Sequence, residues 1–280
     1  MADPLESFSV AVPTMGRTSE LEALLSSIAE STAVPDRVIV VDQNGDDRLD
    51  STIARFPNLP IMHQRVDFRG LSAAKNYAAR ICESTVLFTP DDDCRVFPST
   101  FATALEELAR TRADVVFGRC EDENGADAIV AYRKEPGWLS QQQIDGMFVE
   151  PATAVRTSVL REIPFDETLG VGTFHGAEEG LDWVLRLLAA KKRLYFQPDV
   201  EFFHPRTITD HGSPQAVRRV FSYRCGFGRL CRKHRLWGKY FRRVALVSGG
   251  IVAYAAVDRS KARYYLAELA GLIAGAIVEP

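Results

Sequence analysis

Short apolar runs that end in polar turns and alternate with segments of helical spacing constrain this chain most. Phe8 to Pro13, FSVAVP, reads as a buried strand ending at a proline, which cannot donate to a ladder. Arg37 to Val41 (RVIVV), Leu59 to His63, Thr85 to Thr89 and Ala113 to Gly118 (ADVVFG) read as further strands. Behind a capping Thr18, Leu21, Leu24, Leu25 and Ile28 recur at the spacing of one helix face. Leu71 to Cys82 and Ser99 to Thr111 read as two more helices. Strands alternating with helices predict an α/β fold with a mostly parallel sheet covered on both faces. In such sheets ligands bind beyond the carboxyl ends of the strands, so Pro13, Asp42 and Asp91 are expected to converge.

The middle of the chain, Ala126 to Val171, is less regular and reads as a loop or lid around Pro136-Gly137-Trp138. A polar knot, GVGTFHGAEEGLD from Gly170 to Asp182, then opens a helix reaching about Ala190. Leu194 to Phe196 and Val200 to Phe203 read as two short strands. Beyond Arg206 the composition turns basic, aromatic and helical, which divides the chain into residues 1–206 and 207–280.

With 280 residues, 46% hydrophobic and 25% charged, the chain has the balance of a folded globular protein. Its formal net charge of −3 conceals an uneven distribution: Gln215 to Val244 holds ten Lys or Arg and no Asp or Glu. Such a block suits an anionic partner, lipid headgroups or nucleic acid. No nucleic-acid recognition motif accompanies it, and Phe, Tyr, Trp and Leu are interleaved with the cations, as in an interfacial helix pair. The alternative is a helical appendage packed on the preceding domain. The longest apolar run, Val244 to Val257, has 14 residues, whereas a helical span needs about 20. Five scattered cysteines with no CxxC pair support neither a disulfide framework nor a zinc site. The N-terminus shows no basic region followed by a long apolar stretch. These features point to a cytoplasmic protein held peripherally at the inner face of the membrane.

Several clusters carry potential chemistry. Asp91, Asp92 and Asp93 follow directly on the apolar run VLFTP. Like charges at a buried strand end repel, and a divalent cation with a diphosphate would neutralise them. Alternation points Asp91 and Asp93 to one side and Asp92 to the other; the competing reading is a solvated turn. Asp42, ending VIVVD, suits a hydrogen bond to a ribose or base edge, or else a turn before Asn44-Gly45. Glu178, Glu179 and Asp182 open a helix, where carboxylates serve the macrodipole or act as a general base. His204 is a third metal or phosphate ligand, or an ordinary core histidine. His175 is a weaker candidate for acceptor or phosphate contact.

Seven stretches in order, VAVPTMGR, VIVVDQNGDD, RGLSAAKNYAAR, VLFTPDDD, FDETLGVGT, GAEEGLDWVLRL and FQPDVEFFHPR, make the chain resemble the inverting GT-A glycosyltransferases of family 2. The resemblance covers roughly residues 8 to 206. It implies a nucleotide-sugar donor, a UDP-sugar in the usual case, a Mn²⁺ or Mg²⁺ ion, and a glycan or lipid-linked acceptor. Pro13, Thr14 and Arg17 would line the nucleotide pocket and Asp42 would bind the base. Gly70 and Lys75 would border the nucleotide and diphosphate. Asp91 to Asp93 match the DxD-type motif, with Asp93 on the metal and Asp91 nearer the ribose. His204 would complete that site, and the acidic knot up to Asp182 would hold the base and contact substrate. Two departures stand out. Lys75 replaces the family's usual arginine, losing its bidentate fork. The acidic knot has one extra residue, so the base is Glu179 or Glu178, with Glu179 preferred. A nucleotidyltransferase of the same fold and a non-catalytic, membrane-recruited nucleotide binder are the alternatives. Oligomeric state has no signature in the sequence, and sugar selectivity is expected in the loop around Trp138 and in side chains outside the matched stretches.

Overall fold

The computed structural model describes residues 6–206 and 210–279. The division placed after Arg206 abuts Thr207–Thr209, which lie outside the described residues, as do the first five residues of the stretch searched for a leader. In chain order the elements are β1 (Phe8–Thr14), α1 (Ser19–Ala29), β2 (Arg37–Asp42), α2 (Asp50–Ile53), β3 (Ile61–Arg65), α3 (Leu71–Ile81), β4 (Val86–Phe88), β5 (Arg95–Val96), α4 (Thr100–Thr111), β6 (Val115–Glu121), β7 (Gly137–Trp138), β8 (Thr153–Arg156), α5 (Thr157–Glu162), α6 (Glu179–Ala189), β9 (Leu194–Phe203), α7 (Pro214–Lys233), α8 (Trp237–Tyr254) and α9 (Arg259–Ile277). They fall into two compact units. One comprises Met1–Phe68, Ala74–Pro164 and Trp183–Arg206; the other comprises Arg69–Ala73, Phe165–Asp182 and Thr207–Pro280.

The first unit is built on one sheet of order β3-β2-β1-β4-β8-β6-β9-β5, with β7 also paired to β9. The α/β architecture is as expected, and three antiparallel strands are set into its otherwise parallel sheet. Strands β1, β2, β3 and β4 are parallel neighbours, as are β6 and β9, whereas β8, β5 and β7 run antiparallel to their partners. Strand β8 lies in the middle of the irregular stretch. Its sequence, TAVR, sits between β4 and β6 with three of four residues buried, so it shows no polar alternation to betray it. Because β8 reverses direction twice over, β1, β2, β4, β6 and β9 all deliver their carboxyl ends to the same edge.

Two further expectations change. The segment from Leu194 to Phe203 is one strand, and its register with β6 shifts between Phe117 and Arg119. Pro198 lies within that bulge, where the ladder is interrupted and a missing N–H costs little. Trp138 belongs to β7, opposite Tyr195, against which its ring packs at 4.9 Å. It therefore sits at the start of β9, nine residues or roughly 30 Å of strand from His204, at the sheet edge opposite Asp91–Asp93.

The core of this unit follows from the apolar spacing. Leu21, Leu24, Leu25 and Ile28 are buried on α1 as their period demands. Thr18 holds the N-cap position of α1 without a side-chain bond; its carbonyl accepts the Glu22 N–H at 3.0 Å. Phe8, Phe88 and Phe101 interlock with ring centroids 4.7–5.4 Å apart, a geometry worth about 1 kcal/mol per pair beyond burial.

The second unit is dominated by α7, α8 and α9. Ser213 caps α7 by accepting the Ala216 N–H (3.1 Å), with Pro214 opening the helix, and Asp258 caps α9 by accepting the Lys261 N–H (3.0 Å). Half of the basic block is neutralised within the unit. Arg224 and Arg243 flank the buried Glu268, Arg229 and Lys233 meet Asp166, and Arg232 meets Glu279. Among the described residues no helix is long and apolar enough to cross a membrane. Helices α7 and α9 approach so closely at Gly275 that a Cβ there would overlap the Cys225 carbonyl oxygen. Helix propensity alone predicts that Gly275→Ala stabilises by up to about 1 kcal/mol; the backbone overlap predicts a loss of about 1–3 kcal/mol instead. Chemical denaturation of the variant decides between the two signs.

Candidate active site

Strand β4 is fully buried, and the chain leaves it through Thr89 and Pro90 into a turn closed by the Cys94 N–H on the Asp91 carbonyl at 3.1 Å. Asp91, Asp92 and Asp93 are thereby held at the edge where the parallel strands end. Strand β5 follows at once and pairs antiparallel with β9, setting Arg95 against Phe203. One more step in that register places His204 opposite Cys94 and beside Asp93. Ligand atoms of Asp91, Asp93 and His204 lie within 4.8 Å of one another.

The donor chemistry of this trio is definite. His204 Nδ1 lies 2.9 Å from the Pro205 carbonyl oxygen. A carbonyl only accepts, so Nδ1 carries a proton, and Nε2 lies 3.7 Å from Asp93 Oδ1. That Asp93 oxygen is buried with no hydrogen-bond partner among the described residues. A buried orphan oxygen, a second carboxylate and an imidazole nitrogen fit a hard or borderline divalent cation such as Mg²⁺ or Mn²⁺.

Fixed cations surround the same turn. Arg17 Nη1 lies 2.5 Å from Asp92 Oδ1 and 2.8 Å from Asp93 Oδ2. Burial pushes the Asp92 carboxyl above its ordinary pKa, and the Arg17 guanidinium opposes that rise. Lys75 is fully buried, with Nζ 3.2 Å from Asp91 Oδ1 and a close ion pair to Glu150. Sequence reasoning missed Glu150: it sits in the aperiodic stretch before β8, and its link to Lys75 spans 75 residues. Asp42, at the end of β2, is fully buried. Its Oδ1 accepts the Asn44 N–H (2.9 Å) and Nδ2–H (2.8 Å), and its Oδ2 lies 2.8 Å from His63 Nε2. This is the turn geometry that competed with a ligand role. Pro13 and Thr14 end β1 beside Val41 and Asp42.

In the second unit Gly70, at φ +125°, precedes a segment laced to the glycine-rich loop. Leu71 N–H donates to the Val171 carbonyl (2.9 Å) and Ser72 Oγ to the Leu169 carbonyl (2.7 Å). The two adjacent glutamates then diverge. Glu178 adopts the left-handed conformation at φ +74°, a strain of about 1–2 kcal/mol for a residue with a Cβ. Burial raises the pKa of its carboxyl against the opposing pull of Arg224 and Lys239. Glu179 begins α6 with its side chain packed against Gly170. Asp182 is fully buried, its Oδ1 2.7 Å from Lys233 Nζ and 2.8 Å from His234 Nε2, both at the end of α7. His175 is buried, with its pKa lowered by burial and by Arg229.

A pH signature follows for Glu178. With its folded pKa above the ordinary 4.5, the native protein keeps a proton that the unfolded chain releases. Stability from this group is complete below that value and falls as pH rises through the folded pKa. In Glu178→Gln the decline of Tm above about pH 4.5 should flatten without loss of Tm at pH 7; an unchanged slope in thermal melts would refute the assignment.

Comparison with known proteins places these features in a family. Over 94% of this chain and 90% of the other, the structure resembles residues 1–349 of S. aureus TarS, with a TM-score of 0.60 at 17% identity. It also resembles the mannosyltransferase PcManGT of Pyrobaculum calidifontis, solved with GDP-Man and Mn²⁺, with a TM-score of 0.64 at 20% identity over 97% and 86% of the two chains. These likenesses show the GT-A fold. An uncharacterised glycosyltransferase of Haemophilus influenzae is 24% identical over 185 residues, 64% of this chain, which spans 61% of that relative's length. The model of glycosyl transferase family 2 matches residues 9–163, more than half of the chain, and the protein belongs to that family.

Proposed function

We propose that this glycosyltransferase is metal-dependent and inverting, and that it moves a sugar from a nucleotide-activated donor, a UDP-sugar in the first instance, to a hydroxyl of a glycan or lipid-linked acceptor. The observation that carries the reading is the meeting of Asp91, Asp93 and His204, with a buried unpartnered oxygen on Asp93. These three would hold Mn²⁺ or Mg²⁺, which when bound neutralises the donor diphosphate and stabilises charge developing on the leaving nucleotide. Arg17 and Lys75 add positive charge beside the same carboxylates. Pro13, Thr14 and Asp42 would bind the nucleoside, and Gly70 would border the diphosphate.

Glu179 is assigned as general base. It takes the proton from the acceptor hydroxyl as the oxygen attacks the anomeric carbon, the bond from that carbon to the diphosphate breaks, and one displacement inverts the centre. Its preference over Glu178 rests on their divergence: Glu178 sits on a left-handed backbone at φ +74°, whereas Glu179 begins α6 packed on the glycine loop. On this reading residues 1–206 form the catalytic domain and 207–280 a helical extension that attaches peripherally to membrane. The support for attachment is the outward face of α8, where Phe241 is 63% and Val252 79% exposed. Arg235, Lys239 and Arg242 are exposed near its start.

Two experiments test these assignments. Calorimetry with UDP-GlcNAc and GDP-Man is expected to show Mn²⁺-dependent binding of one of them, weakened at least about tenfold in Asp93→Ala. Glu179→Gln should keep donor binding while transfer falls by about 100- to 10,000-fold. Failure of the folded protein to bind any nucleotide would sink the donor site, and bound donor with nucleotidyl rather than sugar transfer would replace the reaction. For the extension, flotation with vesicles containing anionic lipid should recover the protein, and Phe241→Asp should abolish recovery; indifference to lipid charge would dismiss the attachment.

A further inference from the structure

We propose that Glu150 is a positioning residue of the metal site: it keeps the Lys75 ammonium as its own partner and thereby leaves Asp91 to the ion. The inference rests on the reading that Asp91, Asp93 and His204 hold a divalent cation.

Asp91 has two claimants. Its Oδ1 lies 3.2 Å from Lys75 Nζ, and as a metal ligand it would give an oxygen to the ion. A lone pair bonded to an ammonium proton is not available to a metal, and the two positive charges repel each other. Lys75 cannot turn to water instead, because its side chain is 1% exposed. A buried ammonium left without a carboxylate is strongly destabilising. Asp91 is therefore released to an ion when another acid stays on Lys75. Glu150 is such an acid. It forms a close ion pair with Nζ, closer than the contact to Asp91, and it is itself buried.

Backbone and side-chain links hold the two acids to the same ammonium. The chain leaving β4 runs through Thr89 and Pro90 into Asp91. The Thr89 N–H donates to the Thr153 carbonyl at the start of β8 (3.3 Å), and the Thr153 hydroxyl donates to the Glu150 carbonyl (2.7 Å). The segment before β8 and the turn after β4 are thereby tied together, with Lys75 of α3 as the cation common to both. Loss of the Glu150 charge has two effects of the same sign. Lys75 closes on Asp91, and negative charge is withdrawn from beside a site that is to hold a divalent ion.

The test follows free Mn²⁺ by electron paramagnetic resonance as the ion is titrated into the full chain, alone and with UDP-GlcNAc or GDP-Man present. Variants are compared in the condition under which the parent chain binds. In Glu150→Gln the Mn²⁺ affinity is expected to fall at least about tenfold. Lys75→Met/Glu150→Gln removes the ammonium together with its partner and should bring the affinity back to within about threefold of the parent. A merely structural role for Glu150 gives no such rescue, since the double variant disturbs the packing at least as much. Should Glu150→Gln fail to fold, as judged by its melting profile, Lys75→Met alone is read with Mn²⁺: freeing Asp91 raises the affinity, and an unchanged or lower value overturns the proposal. Unchanged affinity in Glu150→Gln, or a loss that the second substitution leaves in place, overturns it too while the metal site stands. Absence of Mn²⁺ binding by the folded parent chain in every condition overturns the metal-site reading itself.

Discussion

The fold of the first unit has to accommodate three consecutive carboxylates at the end of a buried strand. Left alone, Asp91, Asp92 and Asp93 would repel one another in a region with little water to screen them. The structure answers with two cations and an imidazole brought from distant parts of the chain. Arg17 follows β1, Lys75 lies on α3, and His204 ends β9. None of the three is near the aspartates in sequence, so the turn after β4 holds its shape only if the sheet around it is assembled. Lys75 is itself a liability, a fully buried ammonium that needs Glu150 as well as Asp91 to offset its desolvation. Charge neutralisation and donor chemistry are thus one problem, solved by the register of β5 on β9.

In the second unit a similar economy applies to positive charge. The basic stretch from Gln215 to Val244 divides into two populations. Arg224, Arg229, Arg232, Lys233 and Arg243 are spent on acidic partners that tie α7 and α8 to α9 and to the loop around Asp166. Arg218, Arg219, Arg235, Lys239 and Arg242 stand exposed, and these are the cations available to lipid headgroups or to a phosphate. A count of basic residues therefore overstates the field that a membrane would meet.

Much of the architecture was legible because it depends on local periodicity. Leu21, Leu24, Leu25 and Ile28 are buried as their spacing requires, and RVIVV forms a strand buried on both faces. The stretches that escaped are those whose structure is dictated by distant partners. TAVR becomes a central strand because β4 and β6 leave a slot for it. Trp138 pairs with Tyr195 and moves to the wrong edge for a ligand-facing lid. Pro198 reads as a strand break until β6 supplies the shifted register that tolerates it. Glu178 and Glu179 are indistinguishable as letters; the backbone sets them apart, left-handed at Glu178 and helical at Glu179, whose side chain packs on Gly170.

By itself the sequence determined the type of fold, the identity of the carboxylate cluster and the family motifs in their order, because strand period, helix period and turn chemistry act over a few residues. Only the tertiary structure decided that β4 and β6 are joined through an antiparallel β8, that Glu150 shares Lys75 with Asp91, and that His204 presents Nε2 beside Asp93. Those outcomes depend on ladder register and on polar contacts formed across 16 to 111 positions, and contacts at such separations leave no period in the chain to read.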